Sequence, residues 1–386
     1  MRIAIVSNTL PPSGGGGAEA YAAALADALG DSHDVVVVTG AQNAALSRAD
    51  LFHVRGMLDL SSAASPLQRA AWHLREQWLP RVHREMTRFL RSWRPDVVHT
   101  HEPQGLSAAV FTALARMRSP HVHTLHDFNL ICSRVTTTRA GEFCGGRCVE
   151  CLPQRLIRTS AIRRRLDLAI APSRFIRDRH VELGALRARS IEVIPHGTPL
   201  VPGRIRRRGA TFTIGFIGTL AQHKGVLTLL RAFEDAPADW RLLIAGDGPL
   251  MPEVARASAD DDRVRMLGRV VGEMRERYFG EIDVLSVPSE WEEPAGLVVI
   301  EAAVRGIPVV ASDRGGLREA PVSLTHASRD VGGLRTSLVT LATDGALERA
   351  SQAAYNQRAA LSWETHVTTI EQKLIEVVQR WADGRV

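Results

Sequence analysis

Residues 290–302 read Glu-Trp-Glu-Glu-Pro-Ala-Gly-Leu-Val-Val-Ile-Glu-Ala. Glu293 precedes an apolar run that reads as a helix start, and Glu301 lies eight residues further on. The amides of Gly296, Leu297 and Val298 then lack intrahelical partners. A diphosphate placed against them gains charge-assisted hydrogen bonds. A carboxylate on either side can accept two hydrogen bonds at once, which suits sugar hydroxyls. The bland alternative is an acidic loop capping a helix, and Glu292 is read that way.

Pro11–Glu19 carries four successive glycines, Gly14–Gly17, between a strand-like run and a helical one. Such glycines let backbone N–H groups approach a phosphate, with a helix dipole behind them. A flexible loop without a ligand is the alternative. No GK[ST] follows, and the spacing is not that of a dinucleotide fingerprint, which disfavours an NAD(P) oxidoreductase.

Cys132, Cys144, Cys148 and Cys151 fall within twenty residues, the last three as Cys-x3-Cys-x2-Cys. Four thiolates can close a tetrahedral zinc site and order a polar loop. Reduced cysteines or an incidental disulfide are the alternatives. The spacing also equals a radical-SAM iron–sulfur triplet, but Glu150 stands where an aromatic is usual and the chain has no barrel pattern. No Asp pair calls for a divalent ion. Asp247 and Asp313 sit in turns, where Asp bonds locally. No cofactor or metal is expected in catalysis.

The elements that position these residues alternate. Strand-like runs at 3–6, 35–39, 96–99, 122–125, 168–171 and 191–194 surround helical stretches at 18–29, 67–93 and 107–117, with Gly30 where a helix C-cap belongs. A Pro/Gly/Arg segment, Pro199–Gly209, reads as an interdomain linker. Beyond it come strands at 213–217, 241–245, 264–267, 284–287 and 308–311, helices at 226–233 and 297–304, and an amphipathic helix at 363–381. The fold class is α/β with parallel sheets, which bind ligands beyond the carboxyl ends of their strands. The expected domains are 1–200, with a Cys-rich insertion near 130–155, then 201–365, and a helix over 366–386 returning to the first domain.

The 386 residues suit two domains, and 45% hydrophobic with 23% charged residues excludes wholesale disorder. No run approaches the roughly 18 uncharged apolar residues of a spanning helix. The N-terminus lacks a cleavable apolar region, so the cytoplasm is the expected location. A net charge of +6 favours anionic partners without implying nucleic acid. Arginines 75, 81, 84, 88, 91 and 94, and then 155, 158, 163, 164 and 165, form two basic stretches. They read as a solvated face, or as a peripheral contact with an anionic membrane on its inner side, with Trp72 and Trp78 beside the first.

EEPAGLVVIEAAVRGIPVVAS resembles the signature region of family 4 glycosyltransferases, retaining nucleotide-sugar-dependent enzymes of the GT-B fold. Gly16–Glu19, Leu125–Phe128, Val193–Gly197, Phe216–Gly225, Leu242–Pro249 and Met266–Val270 resemble further family motifs in the same order. The resemblance implies two Rossmann-like domains facing one cleft, closing to exclude water. It implies Glu301 on the donor ribose, Glu293 on the transferred sugar, and Lys224 with the amides of Gly16, Gly17, Gly296, Leu297 and Val298 on the diphosphate. Gly218 and Thr219 belong to the same donor loop, and Arg269 and Val270 would line the base pocket. His126 would sit beside the transferred sugar at the reacting face. His99, His101 and Glu102, at another strand end, are acceptor-side candidates. Thr219 stands where the family often has Arg, which removes a bidentate phosphate ligand. Either Lys224 acts alone, or His223 or another basic residue compensates. The implied activity is transfer of a sugar from an NDP-sugar to a hydroxyl of a glycan, a lipid-linked glycan or a small molecule. The rivals are a GT-B sugar-nucleotide epimerase and a non-catalytic nucleotide-sugar-binding protein.

Overall fold

The structure, a computed structural model, describes residues 1–12, 16–41, 44, 46–57, 65–139, 142–145, 148–343 and 345–384. The chain forms two units. One comprises Met1–Thr137, Cys144–Ile194 and Val367–Val386, and the other Thr138–Phe143 and Pro195–His366.

The first unit holds β1 (Arg2–Val6), α1 (Gly17–Leu29), β2 (Asp34–Thr39), β3 (Asp50–His53), α2 (Pro66–Gln77), α3 (Pro80–Trp93), β4 (Val97–Thr100), α4 (Ala109–Leu114) and β5 (His121–Thr124). A hairpin of β6 (Thr138–Arg139) and β7 (Glu142–Phe143), grouped with the second unit, follows in the chain, and the first unit resumes with α5 (Leu152–Arg163), β8 (Leu168–Ala171), α6 (Arg174–Glu182) and β9 (Ile191–Val193). Its seven-stranded sheet runs β3-β2-β1-β4-β5-β8-β9, with every neighbour parallel.

The second unit holds β10 (Phe212–Ile217), α7 (Val226–Phe233), β11 (Trp240–Ala245), α8 (Met251–Asp260), β12 (Val264–Gly268), α9 (Glu273–Glu281), β13 (Val284–Val287), α10 (Leu297–Ala303), β14 (Val309–Ser312), β15 (Leu324–His326), α11 (Val331–Ala342) and α12 (Ala346–Asn356). Its parallel sheet runs β12-β11-β10-β13-β14-β15. Leu242 and Ile244 pack in one core, and Leu243 and Ala245 in another. Alternate residues of β11 thus enter opposite faces, both covered, which is why its sequence is apolar throughout.

The strand order reverses between β1 and β4 in the first sheet and between β10 and β13 in the second. Such switch points leave a crevice at the carboxyl ends of the strands. The glycine loop leaves β1, and His101 and Glu102 leave β4. The Lys224 loop leaves β10, and the Glu293 loop leaves β13.

Two expectations are corrected. The stretch 67–93 is two helices, not one. Pro80 cannot continue a helix and biases Leu79 to extended backbone, and α3 restarts with the proline in its first turn. Gly30 is the C-cap of α1 as expected, its N–H bonding the Ala26 carbonyl, with a right-handed φ of −63°. Glycine is required there by close approach, because a Cβ would lie 2.4 Å from the Arg48 carbonyl oxygen. Pro199–Gly209 is not a free linker. Arg206 is buried and donates to the Phe279 and Gly280 carbonyls at 2.7 and 3.1 Å, and Arg204 adds a bond to Gly280. These are carbonyls at the end of α9, which lack helical partners.

The closing helix α13 (Trp363–Ala382) joins the first unit from Val367 onward. Glu371 bonds His33 at 2.7 Å, Lys373 bonds Glu192 at 3.0 Å, and the Arg165 guanidinium lies over the Trp381 ring. The unit boundary falls at Ile194/Pro195, a few residues before the expected 200.

Candidate active site

At the second switch point the chain after β10 makes a single turn, Gln222–Lys224, closed by Gly225. Gly225 has φ +73°, and a Cβ there would lie 1.9 Å from the Pro288 carbonyl oxygen. Only glycine lets the turn meet the chain leaving β13 this closely. Lys224 Nζ thereby reaches Glu293 Oε1 at 2.6 Å, and Ser289 Oγ donates to the same oxygen at 2.8 Å. Glu293 is buried. Burial pushes its carboxyl up, but the Lys224 ammonium and these bonds outweigh that and hold it below the usual range. Glu293 is therefore ionised near neutrality and Lys224 is its counter-charge.

The ammonium also lies 4.9 Å from the centroid of the Trp291 ring, which meets His223 edge-on. Burial, then the Lys224 charge, lower the His223 pKa, so its ring is neutral near pH 7. It cannot supply the positive charge missing at Thr219, which is itself exposed. Glu292 pairs with Arg314 at 3.3 Å, away from Lys224's bond.

Gly296 opens α10 with φ +74°. Residues 295–298 are half-exposed, so their backbone is not sealed inside the unit. Glu301 is held by Arg275, and Arg305 donates to its carbonyl at 2.7 Å. Gly218 follows β10, its N–H bonding the Ala245 carbonyl at 3.1 Å. Arg269 is exposed after β12. The Val270 side chain is buried in the core with Tyr278 and Phe279, so that side chain lines no open pocket.

In the first unit, Gly16 is the N-cap residue of α1 and Gly17 its first residue. Residues 13–15 of the glycine loop lie outside the described residues. His126 follows β5, with Nε2 3.0 Å from His101 Nδ1. Tyr21 meets both rings, at 5.6 Å from His101 and 5.0 Å from His126. His99 is fully buried, and its Nε2 bonds Thr124 Oγ1 at 2.8 Å. Its ring lies 4.1 Å from that of His101, which it backs from within the sheet. Glu102 is buried against Asp127, and each shares a hydrogen bond with the other. Burial, then the like charge, drive Glu102 well above the carboxylate range, and burial raises Asp127 as well. The pair therefore holds a proton near neutrality. His101, His126 and Asp127 line a cavity of about 10 Å³, roughly one water.

The cysteines are free thiols, Cys132 and Cys151 buried, Cys144 and Cys148 half-buried. Among the described residues, no three His, Cys, Asp or Glu side chains stand in metal-holding geometry.

Ser289, Arg275, Asp127 and Tyr21 were not singled out from sequence. Ser289 and Asp127 adjoin recognised motifs, and that adjacency was the available signal. Arg275 and Tyr21 lie on helices whose facing only packing decides.

Solved structures share this fold along the whole chain. Sucrose-phosphate synthase from Thermosynechococcus elongatus superposes with a TM-score of 0.77 at 21% identity, covering 97% of this chain and 98% of that one. The Anabaena HepE protein in complex with UDP-glucose superposes with 0.71 at 19%, covering 98% and 99%. The architecture is GT-B, two Rossmann-like α/β units. Residues 15–201 match the family described as Glycosyltransferase Family 4, and residues 211–344 match Glycosyl transferases group 1. A glycogen synthase of Mycobacterium tuberculosis is 29% identical over 96% of this chain and 94% of its own length. The chain belongs to the family 4 glycosyltransferases, and its activity is sugar transfer.

Proposed function

We propose that this chain moves a sugar from an NDP-sugar to a hydroxyl acceptor with retention at the anomeric carbon. The observation that carries this reading is the pair of half-exposed Lys224 with buried Glu293 at the carboxyl ends of β10 and β13. Cleaving a sugar–phosphate bond leaves negative charge on the departing diphosphate. Lys224 is a fixed cation for that charge, with the Gly296–Val298 backbone beside it, and such preorganised electrostatics lower the barrier. Glu293, ionised and buried, is an acceptor for sugar hydroxyls, and Glu301 serves the ribose in the same way. No carboxylate nucleophile is assigned. The leaving phosphate takes the acceptor's proton in a front-face displacement. On the first unit, His126 and the Glu102–Asp127 pair are assigned to the acceptor.

A thermal-shift screen with UDP-, GDP- and dTDP-sugars tests this. UDP-glucose is the first probe, given the HepE complex. The matching donor at about 100 times its Kd adds about 2.7 kcal/mol to the native state and raises Tm by several degrees. A flat response to all three classes sinks the reading. Turnover of donor without acceptor would instead favour the epimerase.

We also assign the acceptor side to an anionic membrane surface. Leu67, Leu74 and Trp78 of α2 and its end, with Leu152, Leu156 and Ile157 of α5, are exposed. Trp78, Leu156, Ile157 and Arg164 line one hollow of about 430 Å³. Exposed apolar side chains amid arginines suit an interfacial helix face. Not every arginine contributes: Arg158 is buried, Arg163 bonds the Ala185 carbonyl, and Arg165 lies over Trp381. No described helix is long and apolar enough to cross a membrane. Trp78→Ala with Leu156→Ser should lower sedimentation with phosphatidylglycerol vesicles about tenfold or more. Equal binding to zwitterionic vesicles would refute the electrostatic part.

A further inference from the structure

Four thiols of the first unit have no part in the sugar chemistry, yet the fold gathers them from separate local structures. Cys132 closes the turn after β5, its N–H bonding the Phe128 carbonyl at 2.8 Å. Cys144 follows β7, its N–H bonding Thr137 O at 2.9 Å. Cys148 and Cys151 bracket the single turn that leads into α5, the Cys151 N–H bonding Cys148 O at 3.2 Å.

The sulfurs converge. Cys151 Sγ is hydrogen-bonded with the Cys148 and Cys132 thiols and stands 3.3 Å from Ser133 Oγ. Cys144 is close enough to act electrostatically on both Cys132 and Cys148. Backbone N–H groups also aim at the sulfurs: those of Arg134 and Thr137 at Cys132, that of Ser133 at Cys151, and that of Cys151 at Cys148. Donors of this kind favour sulfur that carries negative charge. Arg134 pairs with Glu150 at 3.1 Å, and the buried Arg158 acts electrostatically on Cys132.

We propose that Cys132, Cys144, Cys148 and Cys151 close on one zinc ion as a structural tetrahedral site. The ligand number, the Cys-x3-Cys-x2-Cys spacing and the all-sulfur donor set suit a closed zinc centre. Each thiol gives its proton to solvent as its Zn–S bond forms, so four protons leave per ion and no redox step occurs. As free thiols, the cysteines are gathered but not closed. Cys144 Sγ donates to Thr137 O at 3.1 Å, and no three ligands surround one point. Closure therefore turns half-buried Cys144 and Cys148 toward buried Cys132 and Cys151. The reward is a tie between the turn at Cys132, which follows the His126–Asp127 segment, and the start of α5 at Cys151.

The test is elemental analysis of the full chain purified without chelator. About one zinc per chain is expected, released to a chromophoric chelator only when a mercurial blocks the thiols. Cobalt exchanged into the site should give a sulfur-to-cobalt charge-transfer band with tetrahedral d–d bands. Cys148→Ser and Cys144→Ser, at the half-buried positions, should each lower retained zinc at least tenfold. If a variant fails to fold, the wild-type stoichiometry and cobalt spectrum still decide. A folded, zinc-free wild type with four titratable thiols overturns the site, as do a Cys148–Cys151 disulfide or a brown iron–sulfide chromophore. None of these readouts uses sugar transfer, so they stand or fall apart from the proposed function.

Discussion

Lys224→Ala is expected to lower kcat/KM for sugar transfer by about 10²–10³-fold, the usual cost of removing one preorganised group that meets developing charge. The loss should fall mainly on kcat, because the leaving group's charge grows in the transition state. A second effect follows from Glu293. Lys224 supplies the leading opposition to the burial that would otherwise raise this carboxyl. Without the ammonium, burial dominates and the Glu293 pKa climbs above its ordinary value. Glu293 is required ionised, so activity is lost as pH falls through that higher pKa. The acid limb of the pH–rate profile should therefore move to higher pH in Lys224→Ala. Lys224→Arg keeps the charge and should leave that limb near its wild-type position, although rate falls through altered geometry. A near-wild-type rate with an unmoved acid limb would remove Lys224 from the proposed chemistry.

Arg158→Met is expected to destabilise the first unit by about 1–3 kcal/mol, the cost of leaving buried hydrogen-bonding groups without their partner. Arg158 and Glu76 are 2% and 1% exposed and pair at 3.3 Å. The guanidinium also donates to the Asn129 carbonyl at 2.7 Å, and Glu76 accepts the Gly105 N–H at 3.0 Å. Methionine fills much of the volume but satisfies none of these groups. Denaturant unfolding should show the loss as a lower midpoint. Glu76→Leu combined with Arg158→Met should recover much of it, since the orphaned buried carboxyl is then gone. A single Arg158→Met with a wild-type midpoint would contradict the buried pair.

The same pair carries a pH dependence. Burial pushes Glu76 up to about 7, with the Arg158 charge and the Gly105 N–H pulling the other way. The folded chain thus binds this proton more tightly than the unfolded chain, where the group titrates near 4.5. That contribution to stability is fully present below about 4.5 and is lost as pH rises through about 7. Glu76→Gln should flatten this part of the stability-against-pH curve.

The arginines mark where sequence reading stopped. Arg158, Arg163, Arg165 and Arg206 sit in basic stretches that read as solvated or linker-like, yet each has a partner that composition does not reveal: a buried glutamate, backbone carbonyls at chain turns, or an aromatic ring. A guanidinium can satisfy several carbonyls at once, and only the folded chain shows which carbonyls are left over. The break between α2 and α3 was, by contrast, written in the chain as Pro80 and missed under the pull of helical periodicity.

By itself the sequence determined the alternation of strands and helices, the motif order and the residue types of the donor site, because each depends on neighbours within about a dozen positions. The acidic pair at 293 and 301 is a local feature of that kind. Tertiary structure alone decided that Lys224 and Glu293 meet, since strand order, not chain order, sets β10 beside β13. It alone enclosed His99 inside a sheet and raised the Glu102–Asp127 pair. Burial and charge proximity are properties of packed neighbours distant along the chain, and they set which side chains can reach a ligand and which proton each one holds.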